Sequence, residues 1–164
     1  MSKIAFVFPG QGSQAVGMGL DLFEESPRAR QIFEEADEAL GFSLSKLCFD
    51  GPEDELRQTI NTQPAVMTAS IACLKTAFGN GNSVQPAFVA GHSLGEYTAL
   101  VAAGVLSFPS GIRLVKERAR LMQEAGSQRP GGMAAIIGLD LISLEEICQE
   151  TGTQIANIKS PEQT

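Results

Sequence analysis

An α/β fold is predicted by three observations. Two short apolar runs, Ile4 to Phe8 and Phe88 to Ala90, each close on a glycine-containing turn, as buried strands do. Between and beyond them lie segments with apolar residues three and four positions apart, the pattern of amphipathic helices. The second run passes directly through Gly91-His92-Ser93-Leu94-Gly95 into an alanine-rich stretch, Glu96 to Ala103, so that strand, sharp turn and helix are consecutive.

In chain order, the strand Ile4 to Phe8 closes on Pro9-Gly10-Gln11-Gly12-Ser13-Gln14. Gly10-x-Gly12-x-x-Ala15 satisfies a loose dinucleotide fingerprint, and a dinucleotide-binding domain is one alternative reading. Against it, Pro9 intrudes at the junction, and Glu34 and Glu35 fall in a helical pattern instead of at the end of a second strand. Ser26-Pro27 begins a helix, serine at the N-cap and proline at the first turn, and Gly41 ends it. Ala29, Ile32, Phe33, Ala36 and Leu40 form its apolar face; Glu34, Glu35, Asp37 and Glu38 read as a solvated one. Leu44 to Phe49 and the segment opened by Pro52 are short helical turns. Asn61-Thr62-Gln63-Pro64 is expected to cap a well-buried helix to about Phe78, followed by the loop Gly79-Asn80-Gly81-Asn82. After the central turn, Ser110 starts a helix to about Glu124 with Ile112, Val115, Ala119 and Met122 as its core stripe. The tail reads as strand (Gly132 to Gly138), capped helix (Ser143 to Thr151) and strand (Gln154 to Ile158).

Composition bounds the function. The chain has 164 residues, 43% hydrophobic and 19% charged, which describes a globular protein. A net charge of −7 argues against nucleic acid as the main partner, and no apolar run is long enough to span a bilayer. The start goes straight into a strand, so a cytoplasmic protein is expected. Cys48, Cys73 and Cys148 lack metal-ligand spacing and read as reduced packing residues. No cofactor is expected.

The chemistry gathers at the central turn. Gly91 and Gly95 let it close, which lifts the Ser93 hydroxyl above the sheet edge, and the Leu94 N–H lies at the start of the following helix, where backbone donors are unspent. Arg118 is the second signal. Its helical neighbours Leu114, Val115, Leu121 and Met122 are apolar, so its guanidinium needs an anion: an internal partner such as Glu96, or a substrate carboxylate gripped by two parallel hydrogen bonds.

Phe8-Pro9-Gly10-Gln11-Gly12-Ser13-Gln14, Thr62-Gln63-Pro64-Ala65, Gly91-His92-Ser93-Leu94-Gly95-Glu96 and Arg118 with Met122-Gln123 occur in this order. So arranged, they resemble the malonyl-CoA:acyl carrier protein transacylases of bacterial fatty acid synthesis. The resemblance extends to the acyltransferase domains of polyketide synthases. It implies an α/β-hydrolase-like large domain (residues 1–126 here, its N-terminal part) and the first half of an inserted ferredoxin-like small domain (residues 127–164). It further implies that Ser93 accepts malonate from malonyl-CoA and passes it to the phosphopantetheine thiol of acyl carrier protein. Gln11 and Leu94 would hold the oxyanion through their N–H groups, Arg118 would bind the free carboxylate, and Gln63 would support the pocket. Coenzyme A is then a substrate. At Lys159 the family usually has asparagine.

The chain has one histidine, His92, directly before the nucleophile. Adjacent residues there point in opposite directions, so His92 reads as a support for the substrate site and not as the base. In the family the catalytic histidine comes from a later segment. The expectation is a truncated, inactive form whose missing C-terminal half another chain could supply, or else a non-catalytic module binding acyl-CoA or carrier protein.

Overall fold

Residues 3–79 and 84–164 are described in a computed structural model of the chain. The expected loop at Gly79 to Asn82 lies mostly outside them. Two compact units emerge, Met1–Gln128 and Arg129–Thr164.

In the first unit, β1 (Ala5–Phe8) pairs in parallel with β2 (Phe88–Gly91), Ala5 opposite Phe88 and Phe8 opposite Gly91. The chain between them supplies α1 (Leu20–Glu25), α2 (Pro27–Leu40), α3 (Leu44–Asp50), α4 (Glu53–Leu56) and α5 (Thr59–Phe78). After β2 come α6 (Leu94–Ala102) and α7 (Phe108–Gln128). The core joins α2, α3, α5 and α7 through Phe33, Leu44, Met67, Ile71, Ile112 and Val115, all at most 1% exposed. Phe23, Phe33 and Phe49 pack with ring centroids 5.0–6.0 Å apart.

α2 begins and ends where its caps predict. The Ser26 hydroxyl accepts from the Ala29 N–H at 3.3 Å, and Gly41 takes the left-handed conformation that a side chain would disfavour. Its acidic face is only partly solvated. Asp37 accepts from both the N–H and the hydroxyl of Ser45, which ties α2 to the first turn of α3.

Four expectations are corrected. α5 starts at Thr59, not beyond Asn61-Thr62-Gln63-Pro64, so Pro64 lies inside the helix. Proline has no N–H to offer the Ile60 carbonyl one turn earlier. Lys116 on α7 takes that role, its ammonium donating to the Ile60 oxygen at 3.5 Å, while Gln123 Oε1 accepts from the Ile60 N–H at 3.1 Å. Second, the strands are covered on one face only. Phe8 is buried and Phe6 stacks on Phe78 of α5 at 4.9 Å, whereas Val7 (73% exposed) and Phe88 (59%) lie on the opposite, open face. Third, Met122 is exposed and its sulfur accepts from Gln63 Nε2 in place of packing into the core, and Cys73 is exposed too.

The fourth correction concerns the second unit. α8 (Leu141–Thr151) forms as expected, with the Asp140 carboxylate accepting from the Ser143 N–H and hydroxyl. The segments 132–138 and 154–158 do not form strands. Only isolated bridges, Ile137 to Gln163 and Ser160 to Gln163, are present among the described residues. A ladder needs a neighbour of matching length, and the turn at 160–164 offers a very short one. Met133 and Ile137 therefore stay exposed.

No helix among the described residues is long and apolar enough to cross a membrane.

Candidate active site

Gly91 ends β2, Ser93 forms the corner and Leu94 begins α6. Ser93 has φ 55° and ψ −109°; it alone among the described non-glycine residues has positive φ. Such strain persists where the surroundings over-determine it, as at a strand-to-helix corner presenting a side chain. The flanking glycines leave no alternative. A Cβ on Gly91 would strike the Gly95 carbonyl, and one on Gly95 would strike the carbonyl oxygens of Phe8 and Pro9. The turn is thus pressed against the end of β1.

That contact brings the first loop to the site. A Cβ on Gly10 would lie 2.9 Å from both Nδ1 and the carbonyl oxygen of His92, so the bare glycine backbone packs beside the histidine. The next helix after β1 begins only at Leu20, so no helix N-terminus abuts Gly12 and the dinucleotide arrangement is absent. Gln11 instead reaches α5, its Nε2 donating to Thr59 Oγ1 at 3.2 Å.

From Gln11 a chain of hydrogen bonds runs to the serine. Gln63, fully buried on α5, donates through Nε2 to Gln11 Oε1 (3.5 Å) and to Met122 Sδ (3.2 Å). Its Oε1 accepts from Arg118 Nη1 at 2.5 Å, and Arg118 Nη2 donates to Ser93 Oγ at 2.8 Å. The guanidinium also lies 5.5 Å from the centroid of the Tyr97 ring, a cation–π contact. No carboxylate among the described residues pairs with it; Arg57 and Arg120 form the ion pairs, and Glu96 is exposed and apart from it. A charged group held by neutral partners beside a hydroxyl is poised for an external anion.

The N–H groups of Gly95 and Glu96 are spent on the carbonyls of His92 and Ser93. Those of Gln11 and Leu94 donate to no other described residue. Ser93, Leu94, Gln11, Gln63 and Arg118 therefore converge, with His92 exposed at the rim. Sequence reasoning did not single out Tyr97 and Thr59. Tyr97 carried a signal, standing four residues after Ser93 and hence on the same helical side. Thr59 carried none, since its partner is 48 residues away.

Against this geometry stand the relatives. The malonyl CoA-acyl carrier protein transacylase of Bacillus subtilis strain 168 is 49% identical over 168 residues, covering 99% of this chain and 52% of the relative. A solved acyl-carrier-protein S-malonyltransferase from Burkholderia pseudomallei 1710b aligns with a TM-score of 0.89 at 48% identity, over 99% of this chain and 53% of the other. A malonyl-transacylase solved in complex with its type II PKS acyl-carrier protein aligns at a TM-score of 0.87 and 46% identity, over 99% and 53%. The chain thus spans about half the length of the relatives it matches. The acyl transferase domain is matched over residues 5–164, nearly the whole sequence, and the chain belongs to that family.

Proposed function

We propose that the site performs the acyl-enzyme half of malonyl transfer from coenzyme A to the phosphopantetheine thiol of acyl carrier protein. The observation that carries this reading is the Arg118 guanidinium, bonded to Ser93 Oγ at 2.8 Å and facing no carboxylate of the described residues. A malonyl thioester whose free carboxylate took that cation would bring its thioester carbon to the serine. Ser93 loses its proton to a base as Oγ attacks, and the oxyanion accepts hydrogen bonds from the Gln11 and Leu94 N–H groups. Collapse expels the coenzyme A thiolate, which takes up the proton. The carrier thiol then repeats the sequence on the acyl-serine. Each oxyanion donor is worth about 2.7–4 kcal/mol in comparable acyl transfer. Gln63 fixes the guanidinium and His92 lines the approach. Coenzyme A and carrier protein enter as substrates, and no further cofactor is required.

The described residues that contact Ser93 Oγ offer it a donor and no proton acceptor. We assign the base to a histidine carried in the part of the relatives that this chain does not span. In this reading residues 1–126 are the N-terminal part of an α/β-hydrolase-like domain and residues 127–164 the first half of a ferredoxin-like one. Loss of the base in another serine enzyme costs about 10⁶ in turnover. The 164-residue chain alone should accordingly transfer radiolabelled malonate to carrier protein no faster than the background; near-normal transfer would refute the assignment of the base. Calorimetric titration should show malonyl-CoA bound more tightly than acetyl-CoA, with Arg118→Ala erasing the difference. Equal affinity for the two in the unaltered chain would remove the ground for Arg118 as the carboxylate clamp. The same missing acceptor favours a second reading, a binding module without turnover, for which carrier-protein binding would survive Ser93→Ala.

A further inference from the structure

Among the described residues, the loop from Gly10 to Gln14 hydrogen-bonds to another element through one side chain, that of Gln11. The other bonds stay local: Ser13 Oγ donates to the Gly10 carbonyl at 3.0 Å, and Gln14 Oε1 accepts from the Gly12 N–H at 2.9 Å. Gly12 has φ 106° and open space where a side chain would stand. With a glycine on each side, Gln11 has little backbone stiffness of its own. Its amide is gripped at both ends instead. Nε2 donates to Thr59 Oγ1 at 3.2 Å, and Oε1 accepts from Gln63 Nε2 at 3.5 Å. Thr59 and Gln63 stand four residues apart on α5 and so share a side of it.

The turn that carries Thr59 is fixed from two directions. Lys116 and Gln123 of α7 take the carbonyl and the N–H of Ile60. Asn61 Nδ2 donates to the Glu55 carbonyl at 3.0 Å and Thr62 Oγ1 to the Leu56 carbonyl at 2.6 Å, which ties the same turn to α4. A turn bonded to two neighbouring helices is a stiff mount for a pliable loop.

We propose that Thr59 is a positioning residue for acyl transfer: its hydroxyl holds the Gln11 amide, and that amide holds the loop whose backbone N–H meets the oxyanion. The inference rests on the proposed acyl-serine reading and adds to it a residue that acts through Gln11. Gln63 serves two partners, Gln11 through Nε2 and Arg118 through Oε1. Loss of the Thr59 bond leaves the grip on Arg118 intact, so it should slow acylation without weakening malonyl binding. Misplacement by about 1 Å can cost about 10²-fold in rate.

The test uses the 164-residue chain and the thiophenyl ester of malonate in mildly alkaline buffer, where hydroxide replaces the base and thiophenolate leaves. Acylation without the base still reports the oxyanion donors, which with binding retain about 10³–10⁴-fold over water in another serine enzyme stripped of its triad. Label on the peptide carrying Ser93 is followed by mass spectrometry, with Ser93→Ala as the background. Thr59→Val keeps the shape of threonine and loses the acceptor. It should slow labelling about tenfold or more, while its calorimetric affinity for malonyl-CoA stays unchanged. The side-chain and backbone amide NMR signals of Gln11 should shift in that variant. Thr59→Ser, which restores the hydroxyl, should recover both rate and signals, and circular dichroism of each variant controls for folding. Equal labelling of Thr59→Val and the unaltered chain, a parallel loss of malonyl-CoA affinity, unmoved Gln11 signals, or no rescue by Thr59→Ser would each overturn the proposal. An unaltered chain that takes no label at Ser93 would refute the acyl-serine reading and this inference with it; labelling indifferent to Thr59 would remove this inference alone.

Discussion

Arg118 and Ser93 show how little of a site's wiring is local. The four hydrogen bonds from Thr59 through Gln11, Gln63 and Arg118 to Ser93 join residues that are 25 to 55 positions apart. The glycines that allow this are testable singly. Gly95→Ala would drive a methyl group into the Phe8 and Pro9 carbonyls and should cost about 1–3 kcal/mol, read as a lowered melting temperature. Cys48 gives a pH signature. Burial, aided by the Asp37 carboxylate, pushes its thiol from the ordinary 9.0 up to about 12. The folded chain thus holds that proton more tightly than the unfolded one. Its contribution is complete below pH 9 and is lost as pH rises toward 12, at about 1.4 kcal/mol per unit. Urea midpoints between pH 8 and 10.5 should fall less steeply in Cys48→Ala. Exposed Cys73 should react with maleimide well before Cys48. At this scale the sequence made the strained Ser93 turn, its glycines and the Arg118 cation legible, because each has a single strong physical requirement. Gln63's bonds to Gln11 and Met122 were not legible, since nothing in an amide specifies its partner.

Among elements, α2 and α5 make the contrast. The ends of α2 were readable because its punctuation is local: Ser26, Pro27 and Gly41 act within one turn. Ser26→Ala should cost about 0.5–2 kcal/mol by chemical denaturation, since its hydroxyl accepts from the Ala29 N–H and also from the Thr76 hydroxyl. The start of α5 was not readable. A proline normally marks a helix's first turn, and here Lys116 and Gln123, 56 and 63 residues from Ile60, hold the turn before it. Lys116 is partly desolvated against the Phe42 ring at 4.5 Å, which lowers its pKa. Gln123→Ala should therefore fray the first turn of α5, seen as faster amide exchange at Ile60 with the rest of the helix unchanged.

For the whole molecule, the alternation of strand and helix was legible because the first unit carries it in continuous apolar runs. The second unit defeated the same reasoning. Its segments have strand-forming composition, but a strand exists only by pairing, and composition does not supply a neighbour. The chain divides into its two compact units after Gln128. Limited thermolysin digestion checks it: cleavage should begin before exposed Met133 and leave the segment through Gln128 resistant. Simultaneous digestion of both units would argue against independent cores.

In the proposed reaction, while Arg118 holds Ser93 Oγ, the hydroxyl is tethered by the very cation that a dicarboxylic acyl tail would claim. Arrival of that tail would slip the tether, whereas a neutral tail would leave it fastened, so recognition and arming become a single event. Added malonate should shift the side-chain NMR signals of Arg118 at concentrations where acetate does not.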